Sequence, residues 1–287
     1  MAKIAVEFEA SNTPQAKLLD QGDGWSAADI VCTSGPRDRP FEERHSSTSI
    51  AIVVSGSFQY RSGNGREMMT PGSLLLGNHG NCFECGHEHG TGDRCIAFSY
   101  APEFFERIVA EAGGQRNFTG FNALRLPPLR LLSPLIAKAS AALQGSTDIS
   151  WAELGVQLAA QAVQLDGALS TSSAGAEPAA EARVTRVVRM IDAQPDGGHD
   201  LASLAREARL SPYHFLRTFE SLTGVTPHQY VLRARLRRAA VQLTNGPAKI
   251  LDIALECGFG DVSNFNRNFR TEFGVSPRVF RRQMRPS

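Results

Sequence analysis

The spacing of apolar positions divides the chain into three texts. Up to Tyr100 it reads as strand: "SIAIVVSGSFQYRS", "EMMTPGSLLLG" and "CIAFSY" are short runs rich in β-branched and aromatic residues, punctuated by Gly, Pro and Asn. From Pro102 to Gly167 the period changes to helical, in "PEFFERIVAEAG", "LLSPLIAKASAALQG" and "WAELGVQLAAQAVQL". The stretch "LSTSSAGAEPAAEA", Leu169 to Ala182, is small and polar and reads as a linker. Everything after it reads as helix. The pattern predicts a β-domain over residues 1–100, a helical packing or dimerisation segment over 101–168, a linker over 169–182, and an all-α domain over 183–287.

The last domain repeats itself. Ala205, Ala208 and Leu210 match Ala254, Cys257 and Phe259 at an offset of 49. Phe215, Arg217, Phe219, Gly224, Val225, Pro227 and Tyr230 match Phe265, Arg267, Phe269, Gly274, Val275, Pro277 and Phe280 at an offset of 50. Two copies with this period are a duplicated supersecondary unit rather than a solenoid. In each copy a short helix (Leu201–Ala208; Ile250–Cys257) meets a tight turn. Gly258 can take positive φ in the second turn, and Ser211 and Pro212 supply a cap and first helical residue after the first. The following helix carries Phe at i and i+4, one buried stripe, and a glycine stops it. This is the helix-turn-helix plan, used twice. Between the copies, "TPHQYVLRARLRRAAVQLTNGP" forms a long helix able to fix the distance between them.

Charge sharpens the picture. From Arg183 onward there are 17 Lys and Arg against 9 Asp and Glu; before it, 13 against 20. A basic, Arg-rich domain on a chain of net charge +1 points to a polyanion. No apolar run approaches the roughly 18 residues of a spanning helix. "MAKIAVEFEASN" lacks the basic-then-apolar build of a signal peptide, so a cytoplasmic protein with no membrane partner is expected.

The C-terminal hundred residues resemble the DNA-binding domain of the AraC/XylS family of bacterial transcription regulators. The residues carrying the resemblance are Ala254, Gly258, Phe259, Phe265, Arg267, Phe269, Phe273, Gly274, Pro277 and Arg281, with Pro227, Tyr230, Arg235 and Ala239 upstream. The N-terminal text, "TPGSLLL" above all, resembles the cupin-like β-barrel sensing domain of that family. The resemblance implies a multidomain chain: a cupin-like barrel with flanking helices, then an all-α domain with two helix-turn-helix units. It implies a transcription regulator, a homodimer, a small-molecule effector and RNA polymerase as a further partner. Double-stranded DNA would be read by two helices in successive major grooves, about 34 Å apart. Tyr213, His214, Leu216 and Arg217 are the candidates in the first, and Val262, Ser263, Asn264, Arg267 and Arg270 in the second. Arg suits guanine and Asn adenine. Arg233, Arg237, Arg238, Arg281 and Arg282 are expected at phosphates, and Arg235 within the domain.

One motif stands apart. "NHGNCFECGHEHGTGDRC", Asn78 to Cys95, holds three of the five cysteines and three of the seven histidines. With an odd count of cysteines, a disulfide framework is not indicated, and such a cluster reads as metal-binding or redox-active. A hairpin turning at Gly90–Gly92 would place Cys85, His87 and His89 on one face, with His87 opposite Cys95 and Cys82 completing a C-x2-C bite. Thiolate with imidazole is the donor mix zinc takes. A thiol switch, an iron, copper or haem site, and a plain buried core remain alternatives. His45 and His79 are reserve ligands, and Cys32 and Cys257 are assigned to the core. No nucleophile elbow, phosphate loop, dinucleotide fingerprint or H-E-x-x-H occurs, so an enzyme is not expected. The rival class is a metal-dependent cupin enzyme fused to a DNA-binding domain.

Overall fold

The computed structural model describes residues 14–113, 118–145, 149–167 and 178–284. Among the described residues nine strands come first: β1 (Gln15–Gly22), β2 (Trp25–Cys32), β3 (Glu42–Arg44), β4 (Thr48–Gly56), β5 (Phe58–Ser62), β6 (Gly65–Met69), β7 (Leu74–Gly77), β8 (Cys82–Gly86) and β9 (Asp93–Tyr100). Helix α1 (Pro102–Glu111) and a short strand β10 (Arg125–Leu126) follow. Two antiparallel sheets result, in the orders β1-β2-β9-β4-β7-β10 and β3-β8-β5-β6.

The continuous apolar run in β4 reflects burial on both faces. Ile50 and Ile52 join Ile96, Phe98 and Tyr100 under α1, α2 (Ser133–Leu143) and α3 (Trp151–Asp166). Ala51 and Val53 turn the other way, with Cys95, towards Phe58 and Tyr60 of the smaller sheet. Alternation thus gives the larger sheet one helix-covered face and one face on the barrel interior. Tyr100 anchors the helical layer, its hydroxyl donating to the Gly155 carbonyl at 2.8 Å.

The C-terminal domain is α4 (Pro178–Ala193), α5 (Leu201–Glu207), α6 (Pro212–Thr223), α7 (Pro227–Asn245), α8 (Ile250–Glu256), α9 (Val262–Phe273) and α10 (Pro277–Met284). The linker expected over 169–182 is shorter at its far end. Residues 169–177 lie outside the described residues, whereas Pro178 to Ala182 already belong to α4. Its Glu181 is buried, so the small-polar composition there reflects a packed helix.

The two domains dock through shared cores. Met68 of β6 sits in the cluster of the first unit with Val184, Val188 and Phe219, and Ala137 of α2 in that of the second. Polar contacts surround these. Arg66 pairs with Glu181, Ser133 donates to Glu272, and Arg130 donates to the Thr271 carbonyl at 3.3 Å.

Candidate functional site

The two helix-turn-helix units are built by the same local devices. Ser211 and Asp261 cap α6 and α9, each accepting from the backbone N–H three residues on. Gly224 (φ 74°) and Gly274 (φ 75°) end them in the left-handed conformation. Phe215 with Phe219, and Phe265 with Phe269, are fully buried, which fixes the rotation of each helix. The rotation leaves Tyr213, His214 and Arg217 exposed on α6 and Leu216 half-buried. On α9, Ser263, Arg267 and Arg270 are exposed, and Val262 and Asn264 half-buried. In each unit the central arginine is steadied from one turn back: Arg217 donates to the Tyr213 hydroxyl at 3.3 Å, and Arg267 to Asn264 Oδ1 at 3.1 Å. Asn266 is exposed on the same helix.

The arginines expected at phosphates divide. Arg233 faces inward and pairs with buried Glu272 at 3.2 Å; Arg237 bonds Asp192 at 3.2 Å and lies over the Tyr230 ring. These two hold helices together, because their acidic partners come from distant helices that the amphipathic pattern of α7 does not reveal. Arg238 pairs with exposed Asp196, Arg281 donates to the Ala248 carbonyl, and Arg282 is exposed. Arg235 bonds the carbonyls of Pro195 and Gly197 at 2.8 and 2.9 Å, an intradomain role.

The Cys/His motif does not form the expected hairpin. β8 pairs with β3 and β5, and β9 pairs with β2 and β4 in the opposite sheet. Residues 87–92 cross between the sheets. Phe83 and Cys85 line the barrel interior, so strand alternation turns Cys82 away and breaks the C-x2-C bite. His89 likewise leaves the group and lies with Glu88 and Glu181. His45 is no spare ligand: its ring nitrogens engage Tyr60 at 2.8 Å and Ser49 at 3.1 Å, and it stacks on Phe83. Burial pushes its pKa down to about 4. His79 is exposed.

What converges instead is Cys32, His87 and Asp93, whose ligand atoms all lie within 4.8 Å of one another. Cys32 ends β2 and is paired in register with Asp93 at the start of β9. His87 Nε2 lies 2.5 Å from Asp93 Oδ1, with side chains 2% and 7% exposed. Burial opposes the imidazolium, but hydrogen bonds from His87 to Asp93 and Cys32 raise its pKa to about 9. Burial raises the Cys32 thiol too, yet hydrogen bonds with His87 and Ser34 prevail and lower it. Cys85 and Cys95 face the same space and are held well above the usual thiol range, by burial first and Asp93 second. Cys95 donates to Asp93 Oδ2 at 3.4 Å. The sequence reading missed Cys32 and Asp93. The signal was there in the inward alternation of Ile30 and Cys32 in "ADIVC".

The cluster borders a cavity of about 420 Å³ between the sheets, lined also by Ile30, Ala51, Leu75 and Phe83, with Ser49 and Glu43 among the polar groups. Its crossing loop touches the C-terminal domain: Arg189 of α4 donates to the Thr91 carbonyl at 2.7 Å and lies against Gly90.

A cavity-bearing barrel docked on tandem helix-turn-helix units defines a two-domain class: a ligand-binding module joined to a nucleic-acid-binding one. Comparison with known proteins agrees. An AraC-like ligand binding domain matches residues 32–166 and a helix-turn-helix domain residues 204–283. The chain thus carries, in order, the ligand-binding and helix-turn-helix domains of AraC-type transcription regulators. It is similar to the HTH-type transcriptional regulator Rv1931c of Mycobacterium tuberculosis, 37% identical over 86 residues, 30% of this chain and 33% of that protein. It is similar to the HTH-type transcriptional activator RhaS of Escherichia coli O139:H28, 40% identical over 79 residues, 28% of each chain. A solved AraC-type regulator from Chromobacterium violaceum is 27% identical with a TM-score of 0.35, covering 38% of this chain and 96% of that one. The chain thus spans about a third or less of the length of these curated relatives. The matching families and relatives are regulators, not enzymes. No described helix is long and apolar enough to cross a membrane.

Proposed function

We propose that this protein binds specific double-stranded DNA through both units and regulates transcription in response to a small molecule held in the barrel. The observation that carries the reading is the repeated presentation of an exposed arginine, Arg217 and Arg267, each braced on a helix whose buried Phe pair fixes its outward face. Arg can bond guanine bidentately, and braced side chains lose less freedom on binding. Helix α7, 19 residues or about 28 Å long, is stiff enough to keep the units in register. The barrel cavity is of a size that takes small organic ligands, and its wall joins apolar side chains such as Ile30, Leu75 and Phe83 to polar groups able to orient such a ligand. Homodimerisation and contact with RNA polymerase belong to the same proposal and rest on the family alone.

The test is selection of an operator from random duplexes with the full chain, then affinity at several salt concentrations. Arg217→Ala and Arg267→Ala should each weaken the selected duplex by about 10- to 100-fold, and bind random duplex nearly as the wild type does. Equal losses on both duplexes would show that these arginines meet phosphate only.

A further inference from the structure

We propose that Cys32, His87 and Asp93 hold one zinc-class divalent ion in the wall of the barrel cavity, with a coordination position open to that cavity. The inference rests on the barrel alone and is independent of the DNA reading.

Three observations carry it. First, the donors are a thiol, an imidazole and a carboxylate with ligand atoms inside a 4.8 Å sphere of mutual distance, each a donor zinc accepts. Second, the three come from β2, the crossing loop and β9, so the backbone of the larger sheet fixes two of them: Cys32 and Asp93 are register partners. A site built on paired strands is held more rigidly than one on a loop. Third, the place is buried and gathers further sulfur donors: Cys85 and Cys95 face the same space as Cys32, His87 and Asp93. A divalent ion there would compensate the buried carboxylate and a coordinating thiolate together. Three protein ligands beside a cavity is the arrangement of zinc sites that keep an exchangeable position. The thiols of Cys85 and Cys95 lie on that side. The ion would fix both ends of the loop 87–92, on which Arg189 of α4 rests.

The experiment uses the reduced, metal-free full chain, titrated with zinc against a chromophoric chelator and separately with cobalt. The expected result is one ion per chain, with a thiolate-to-cobalt charge-transfer band in the near ultraviolet. Cys32→Ser and Asp93→Asn should weaken zinc by at least about 10-fold, while Cys82→Ser, on the opposite face of β8, changes it less than about twofold. Zinc should also raise the wild-type melting temperature and leave that of Cys32→Ser unmoved. A folded wild type with no bound zinc and no cobalt band overturns the proposal, as does a Cys82→Ser loss equal to that of Cys32→Ser. If Cys32→Ser fails to fold, the wild-type cobalt spectrum decides. Loss of operator binding by zinc-loaded protein would count against the DNA reading and leave this one standing.

Discussion

The two helix-turn-helix units have nearly the same skeleton set in different surroundings. Their recognition helices are each 12 residues long, and their buried Phe pairs have ring centroids 5.4 and 5.5 Å apart. At the turn they diverge: the first unit bends at Arg209 with φ 55°, the second at Gly258 with φ 82°. The backbone demands a left-handed residue in both, and only glycine meets the demand without a Cβ penalty. Their outer contacts diverge too. Gly224 at the end of α6 lies against Pro127, and the first core admits Met68 of the barrel. A Cβ at Gly274, at the end of α9, would meet nothing within 4 Å, while the second core admits Ala137 of α2, and Ser133 and Arg130 donate to Glu272 and Thr271 of α9. A duplicated fold can therefore couple its two reading heads to different parts of a neighbouring domain, one to a barrel strand and the other to a covering helix, without altering its skeleton.

Substitutions can break this comparison in graded steps. The largest effect is expected at Glu272→Ala, which leaves half-buried, inward-facing Arg233 without its carboxylate and Ser133 without its acceptor. Denaturant unfolding should show a loss of about 3–5 kcal/mol. Next comes the turn. A Cβ at Gly258 would stand 2.7 Å from the Asp196 backbone, at a φ that side chains resist, so Gly258→Ala should cost about 2–3 kcal/mol. Arg209→Gly, at the matching position, should be neutral or stabilise by up to about 1 kcal/mol, because relief of strain offsets the entropy of the added glycine. The smallest effect is expected at Glu181→Gln. Burial raises the pKa of Glu181 while Arg66 lowers it, so desolvation already offsets much of the pairing, and the loss should stay below about 1 kcal/mol. A large loss at Glu181 with none at Glu272 would reverse the assignment of which unit depends on the buried charge pair.

The helical repeat was legible because its determinants are local. Caps at Ser211 and Asp261, Phe at i and i+4, and stop glycines all act within one or two turns, and helix bounds expected at Ala208 and Cys257 fall one residue further in, at Glu207 and Glu256. The Cys/His cluster was half legible. Alternation correctly sets Cys85 and His87 towards the interior, but pairing is a long-range choice. Gly90-Thr91-Gly92 has the chemistry of a hairpin turn and instead carries the chain from one sheet to the other. That crossing separates Cys82 and His89 from the group and brings in Cys32, more than fifty residues before His87. The arginines of α7 failed for a related reason. A guanidinium beside water and one beside a distant carboxylate look alike in one helix's pattern, and Glu272 and Asp192 settle the matter for Arg233 and Arg237.

The central claim is that the paired units read one duplex together. The measurement that tests it most directly is a base-resolved major-groove footprint of the full chain on its selected operator. The account predicts two protected clusters about 10 base pairs apart on one face of the duplex, with Arg267→Ala erasing one and Arg217→Ala the other. A single protected cluster, or two on opposite faces, would contradict it.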